Sequence, residues 1–162
     1  MQPKLKAIAI LGVVLAAAAV RADDAVLGFI SIDRGFTTRV ELETIRHPDG
    51  RSFRIFGGSA GFAWSALAGT RVPPAEVRQL RIIMRLRMGS GAMFLSLQNA
   101  RTGQWERIRA ITLPTASLQF YISPLTANPG RFVGSGGKIR FRAESVGPAT
   151  AFFDYLMIAV DR

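Results

Sequence analysis

From Val77 to Ala100 the side chains follow a two-residue repeat, and no other stretch constrains the fold as tightly. Leu80, Ile82, Met84, Leu86 and Met88 are apolar, while Gln79, Arg81, Arg85 and Arg87 stand between them and only Ile83 breaks the pattern. Successive side chains of a strand point to opposite faces, so the repeat predicts a strand with one face buried. Gly89-Ser90-Gly91 can adopt the positive φ angles of a tight reversal, and Met93, Leu95 and Leu97 alternate with Phe94, Ser96 and Gln98 beyond it. The expectation is a β-hairpin whose apolar side the rest of the chain covers.

The ends of the chain bear on its address. Lys4 and Lys6 precede an apolar run from Ala7 to Val20, and Val20-Arg21-Ala22 suits signal peptidase, so residues 1–22 read as a secretory signal and residues 23–162 as one domain. The apolar run has 14 residues, against the roughly 20 of a membrane-spanning helix. The expected location is periplasmic or extracellular, with no transmembrane span. The chain has no cysteine, so neither a disulfide nor a lipidated cysteine supports it, and core burial must hold the domain together. Removing Lys4, Lys6 and Arg21 leaves 18 basic residues against 11 acidic ones, a net charge of +7, with Lys138 as the only lysine among them. Such a balance fits either an arginine-rich solubilising surface or an anionic partner, an acidic polysaccharide above all.

Short strands punctuated by glycine and proline fill the remainder. Val26 to Ile32 is a first strand, and Thr38–Ile45 and Arg51–Phe56 flank His47-Pro48-Asp49-Gly50 as a second expected hairpin. Further strands are expected at Phe62–Leu67, Trp105–Leu113, Ser117–Ile122 up to Pro124, Lys138–Glu144 and, with a brief pairing, Arg131–Val133. Ala151 to Asp161 is apolar at nearly every position and reads as a central strand covered on both faces. Eight to ten strands at this spacing predict an all-β, antiparallel β-sandwich.

The second half of the chain resembles a known group. Arg81-Ile82-Ile83-Met84-Arg85, Leu95-Ser96-Leu97-Gln98-Asn99, Thr102-Gly103-Gln104-Trp105, Gly137-Lys138-Ile139-Arg140-Phe141-Arg142 and Phe153-Asp154-Tyr155-Leu156 look like the corresponding strands of galactose-binding-like jelly rolls, the β-sandwich modules appended to many bacterial glycoside hydrolases. The resemblance implies a jelly roll that binds carbohydrate. It also implies a structural calcium near the first and last strands, for which Asp33 and Asp154 are the candidate carboxylates; the alternative for Asp154 is burial against an arginine.

Catalysis finds little support. The sole histidine, His47, sits in a turn before Pro48, and zinc chemistry lacks ligands. Glu41 and Glu43 share one face of the expected strand but have Arg39, Arg46 and Arg54 near them, which favours ion pairing over glycosidase chemistry. Gly134-Ser135-Gly136-Gly137-Lys138 lacks the spacing of a phosphate loop. The strongest functional signal is cationic. Arg81, Arg85 and Arg87 share one parity, Arg107 and Arg109 share another with Trp105, and Lys138, Arg140 and Arg142 a third. Were the three strands in one sheet, its outer face would suit an anionic polymer, with guanidinium forks for carboxylates and an aromatic plane for a sugar ring. Trp64, Trp105 and Tyr121 are the aromatics a neutral-sugar site would use, with packing in the core as the default alternative for Trp64. The expected function is therefore non-catalytic binding of glycan or anionic polymer, without specific nucleic-acid recognition; the alternative is a cell-envelope assembly protein contacting other proteins through its apolar last strand and an exposed Phe94 or Ile83.

Overall fold

The computed structural model describes residues 25–37 and 42–162. The expected signal segment lies outside them, as does Glu41. Ten strands are present: β1 (Val26–Arg34), β2 (Phe36–Thr37), β3 (Phe53–Gly57), β4 (Ala63–Gly69), β5 (Gln79–Ser90), β6 (Met93–Gln98), β7 (Trp105–Ile111), β8 (Gln119–Leu125), β9 (Lys138–Glu144) and β10 (Ala149–Asp161). They form two five-stranded sheets, β1-β4-β9-β6-β7 and β2-β3-β10-β5-β8, with every pairing antiparallel. Packed face to face around one apolar core, they make a jelly-roll sandwich.

The alternation in β5 is realised: Leu80, Ile82, Met84, Leu86 and Met88 are all buried, and the arginines between them point outward. The hairpin is not. β5 pairs with β10 and β8, whereas β6 pairs with β7 and β9 in the other sheet. Gly89-Ser90-Gly91 is thus a crossing between sheets. Gly91 carries φ +75°, and a Cβ there would lie 2.5 Å from the Pro148 carbonyl oxygen and 2.7 Å from the Ala149 Cβ. Gly91→Ala is therefore expected to cost about 2–3 kcal/mol of stability, measured by urea denaturation.

Four other expectations are revised. Leu42–Ile45 is a 3-10 turn rather than the end of a strand, and β3 pairs with β2 and β10; residues 38–41 of the expected second hairpin lie outside the described residues. Arg131 belongs to another 3-10 turn, Pro129–Phe132. β8 continues through Pro124, which an edge strand tolerates because one side of its backbone has no partner. β10 is central, flanked by β3 and β5, but only one of its faces enters the core; Thr150, Phe152, Tyr155 and Met157 lie half-buried on the outside.

Aromatic side chains fill the centre of the core. Trp64 is wholly buried, with its ring centroid 5.5 Å from that of Phe53, 5.4 Å from Phe141 and 4.9 Å from Phe153. It consequently offers nothing to a ligand, and the expectation that it belongs to a sugar site is corrected. Tryptophan's large apolar area makes this burial the favourable outcome.

Candidate functional site

The strand assignment divides the expected cationic face. β7 and β9 share a sheet, but β5 lies in the other, so Arg81, Arg85 and Arg87 face away from Arg107, Arg140 and Arg142. Each β5 arginine is also engaged locally. Arg81 makes a two-pronged contact with Asp161 at 3.1 and 3.2 Å, Arg85 donates to Asp154 at 2.9 Å, and Arg87 lies 3.9 Å over the Phe152 ring. Arg109 departs for another reason. The register between β6 and β7 steps from Leu95↔Arg109 to Ser96↔Arg107, leaving Ile108 as a bulge that inverts the parity beyond it. Arg109 therefore turns toward β8, donating to the Ile122 carbonyl at 2.9 Å and lying 5.1 Å over the ring of Tyr121. Tyr121 is half-buried beneath it and belongs to the seam between the two sheets.

What remains on the outer face of β1-β4-β9-β6-β7 is a patterned groove. Pairing places Phe29 opposite Leu67, Leu67 opposite Arg140, and Gln98 opposite Trp105, so these five residues form one row across the sheet. The next row runs Ser31, Ser65, Arg142, Ser96 and Arg107. Arg140 and Arg142 of the central strand β9 cross the middle of this face, flanked by Ser65, Leu67 and Ser96 of β4 and β6; the aromatic residues belong to the outer strands, Phe29 to β1 and Trp105 to β7. They enclose a cavity of about 190 Å³ lined by Phe29, Ser65, Leu67, Trp105 and Arg140. A second hollow of about 390 Å³, lined by Gln98, Ser135, Lys138 and Arg140 among others, adjoins it at Arg140. A third of about 500 Å³ lies beside Phe94, Arg107 and Val146 at the opposite end of the strands.

Arg142 is the hub of the groove. Its guanidinium lies 3.8 Å from Asp33 and 3.7 Å from Glu144, and its centre is 5.5 Å from the ring centroid of Trp105. Asp33 also accepts a hydrogen bond from Ser65 at 3.1 Å. The neighbouring residue of β7, Glu106, anchors the start of that strand: Arg131 lies 2.9 Å from its carboxylate and Asn99 donates to it at 2.7 Å. Those hydrogen bonds, Arg131's first, hold the Glu106 carboxyl below the usual carboxylate range. Trp105 is thus fixed from both sides, by Arg142 across its ring and by Glu106 in its backbone.

Of the residues expected from sequence, Trp105, Arg107, Arg140 and Arg142 share this groove, together with Lys138. Phe29, Asp33, Ser65, Leu67, Ser96 and Gln98 were not anticipated in it. Their signal lies only in cross-strand register, which joins positions far apart in sequence. The candidate calcium pair does not meet: Asp33 is held in the groove by Arg142, and Asp154 lies on the other sheet against Arg85. Among the described residues no group of three or more metal-ligating side chains comes together. Nor does β10 offer a free edge for assembly, since β3 and β5 occupy both its sides. Phe94 is half-buried under Arg107 at 4.1 Å, and Ile83 is half-buried between Met157 and Ile122. Neither is the exposed contact residue the assembly reading expected.

The class of fold is that of carbohydrate-binding modules. No protein-family model matches the chain, and no curated protein matches it in sequence. Among solved structures, the chain is similar to the CBM22-1 and GH10 modules of Clostridium thermocellum endo-1,4-β-D-xylanase 10B, complexed with xylohexaose, with a TM-score of 0.57 and 12% identity over 86% of this chain and 29% of that longer one. It is similar also to the CBM22-1 xylan-binding domain of a Paenibacillus barcinonensis protein, with a TM-score of 0.52 and 14% identity over 86% of this chain and 90% of that one. A family 29 carbohydrate-binding module from Piromyces equi gives a TM-score of 0.52 at 7% identity over 86% and 88% of the two chains. At such identities the likeness is one of fold. Among the described residues no helix is long and apolar enough to cross a membrane.

Proposed function

We propose that this protein is a non-catalytic glycan-binding module that acts outside the cytoplasm, and that the groove on β1-β4-β9-β6-β7 is its binding site. The observation that carries the reading is the row Phe29–Leu67–Arg140–Gln98–Trp105 with its enclosed cavity. Sugar rings have apolar C–H faces and polar rims, so a site for them needs aromatic planes beside hydrogen-bonding side chains. Trp105 and Phe29 supply the planes; Gln98, Ser65 and Arg140 supply the polar partners. The hollows at both ends leave the groove open along the strands, which suits a chain better than a free monosaccharide. Both carboxylates in the groove, Asp33 and Glu144, are committed to Arg142. Among the described residues the groove thus holds no free carboxylate pair of the kind glycoside hydrolysis requires, which supports a binding role. The solved relatives of the same fold, carbohydrate-binding modules, support the same class of ligand.

The test is retention of the purified protein on immobilised neutral and acidic polysaccharides. Trp105→Ala is expected to weaken retention by about tenfold or more, with an unchanged melting curve. Undiminished binding by that variant overturns the assignment of the groove.

A further inference from the structure

We infer that the groove selects acidic glycans, and that Arg140 and Lys138 form its carboxylate subsite. This rests on the glycan-binding reading of the same groove and goes further, to the class of sugar. The groove holds four cations, Arg107, Lys138, Arg140 and Arg142, against two acids, Asp33 and Glu144. Both acids are spent on one cation, Arg142. Arg140 and Lys138 are exposed, share one face of β9, and have no carboxylate partner among the described residues. Strand rise places their backbones about 7 Å apart.

The position of Arg140 decides between ligands. It lines both the aromatic-walled cavity and the adjoining polar hollow, and so stands at their junction. A sugar ring lodged against Trp105 or Phe29 lies beside Arg140, so a carboxylate on the ring edge that faces the junction comes within reach of the guanidinium. Such a ring also covers the Arg140 guanidinium and removes water from it. A covered charge is costly unless the ligand replaces the lost hydrogen bonds. A neutral hydroxymethyl group offers one weak acceptor, whereas a uronate carboxylate offers two oxygens matched to the guanidinium fork. Gln98 and Lys138, in the polar hollow, supply further donors to the same oxygens. Neutral polymers lack the one group that these unpaired cations are placed to receive.

The experiment compares polygalacturonate, the same polymer after carboxyl reduction, and single-stranded DNA, by calorimetric titration of the purified protein. Polygalacturonate is expected to bind at least tenfold more tightly than its reduced form, with the difference abolished by high salt. The double variant Arg140→Ala with Lys138→Ala is expected to lower affinity for polygalacturonate by about 10- to 100-fold and to bring it to within about twofold of the variant's affinity for the reduced polymer. Equal binding of the two polymers, or an unaffected double variant, overturns acidic selectivity while the glycan-binding reading stands. DNA binding as tight as that of polygalacturonate overturns it too, because the cations would then be reading charge alone. Failure of every polysaccharide to bind overturns the glycan reading itself.

Discussion

Replacing Arg85 with methionine is expected to lower the free energy of unfolding by about 3 kcal/mol at neutral pH, because it leaves a buried carboxylate without its cation. Asp154 is fully buried, at the β10 bulge between Phe153 and Tyr155. Arg85 Nη1 donates to its Oδ2 at 2.9 Å and also reaches the Pro48 carbonyl at 3.1 Å, while Asp154 Oδ1 has no hydrogen-bond partner. Burial pushes the Asp154 carboxyl above the usual carboxylate range, and Arg85 pulls against that rise. Removing the guanidinium raises it further. A carboxyl whose folded pKa exceeds its unfolded pKa contributes its full stability below the unfolded value and loses it as pH rises through the folded one. The loss in Arg85→Met is therefore largest at neutral pH and shrinks in acid, as Asp154 takes up a proton. Asp154→Asn carries no charge at any pH; it is expected to cost about 1 kcal/mol and to abolish this added pH dependence. Urea denaturation of the three proteins at acidic and neutral pH checks both statements, and a pH-independent loss in Arg85→Met contradicts the assignment.

Trp64→Ala carries the other large effect, an expected loss of about 3–5 kcal/mol. Its ring meets Phe53, Phe141 and Phe153, which come from β3 and β10 in one sheet and β9 in the other. The substitution thus opens a void at the point where the sheets are held together. Trp64→Phe keeps part of that contact and is expected to recover most of the loss. Glycan binding by the Trp64→Phe protein should match the wild type, since Trp64 lies beneath the sheet and not in the groove. That separates it from Trp105→Ala, which should bind about tenfold or more weakly yet melt normally.

The contrast between these tryptophans shows what could be read before the fold was known. Half-buried strands betray themselves by alternation, so β5 and β9 were legible from Leu80–Met88 and Lys138–Glu144; the all-β sandwich followed from the number and spacing of such strands, and the jelly roll from the resemblance of the second half of the chain. Sheet membership was not legible. Gly89-Ser90-Gly91 permits a reversal, but the same three residues serve a hairpin or a step between sheets, and only the partners β8, β9 and β10 decide which. Two local irregularities also escaped notice. The bulge at Ile108 turns Arg109 to the opposite side of β7, and the bulge at Asp154 is how β10 admits the one carboxylate that interrupts its apolar run, whose burial against an arginine the sequence did suggest. The groove was half legible: Trp105, Arg107, Arg140 and Arg142 attract attention as residue types. Phe29, Ser65 and Gln98 are ordinary residues whose position matters only once β1, β4, β6 and β9 lie side by side.

The central place of β10 has a consequence for the order of folding. Its two neighbours, β3 and β5, come from much earlier in the chain and do not pair with one another. Until β10 inserts, each presents an unsatisfied backbone edge, and the aromatic contacts to Phe153 are missing. Loop-closure entropy must be met before those long-range contacts can repay it, so this topology is expected to fold more slowly than one whose strands pair with their neighbours in sequence, as stopped-flow refolding would show. The last strand of the sandwich is thus its keystone, and a chain that lacked it would present two open ladders ready to pair with a neighbouring chain.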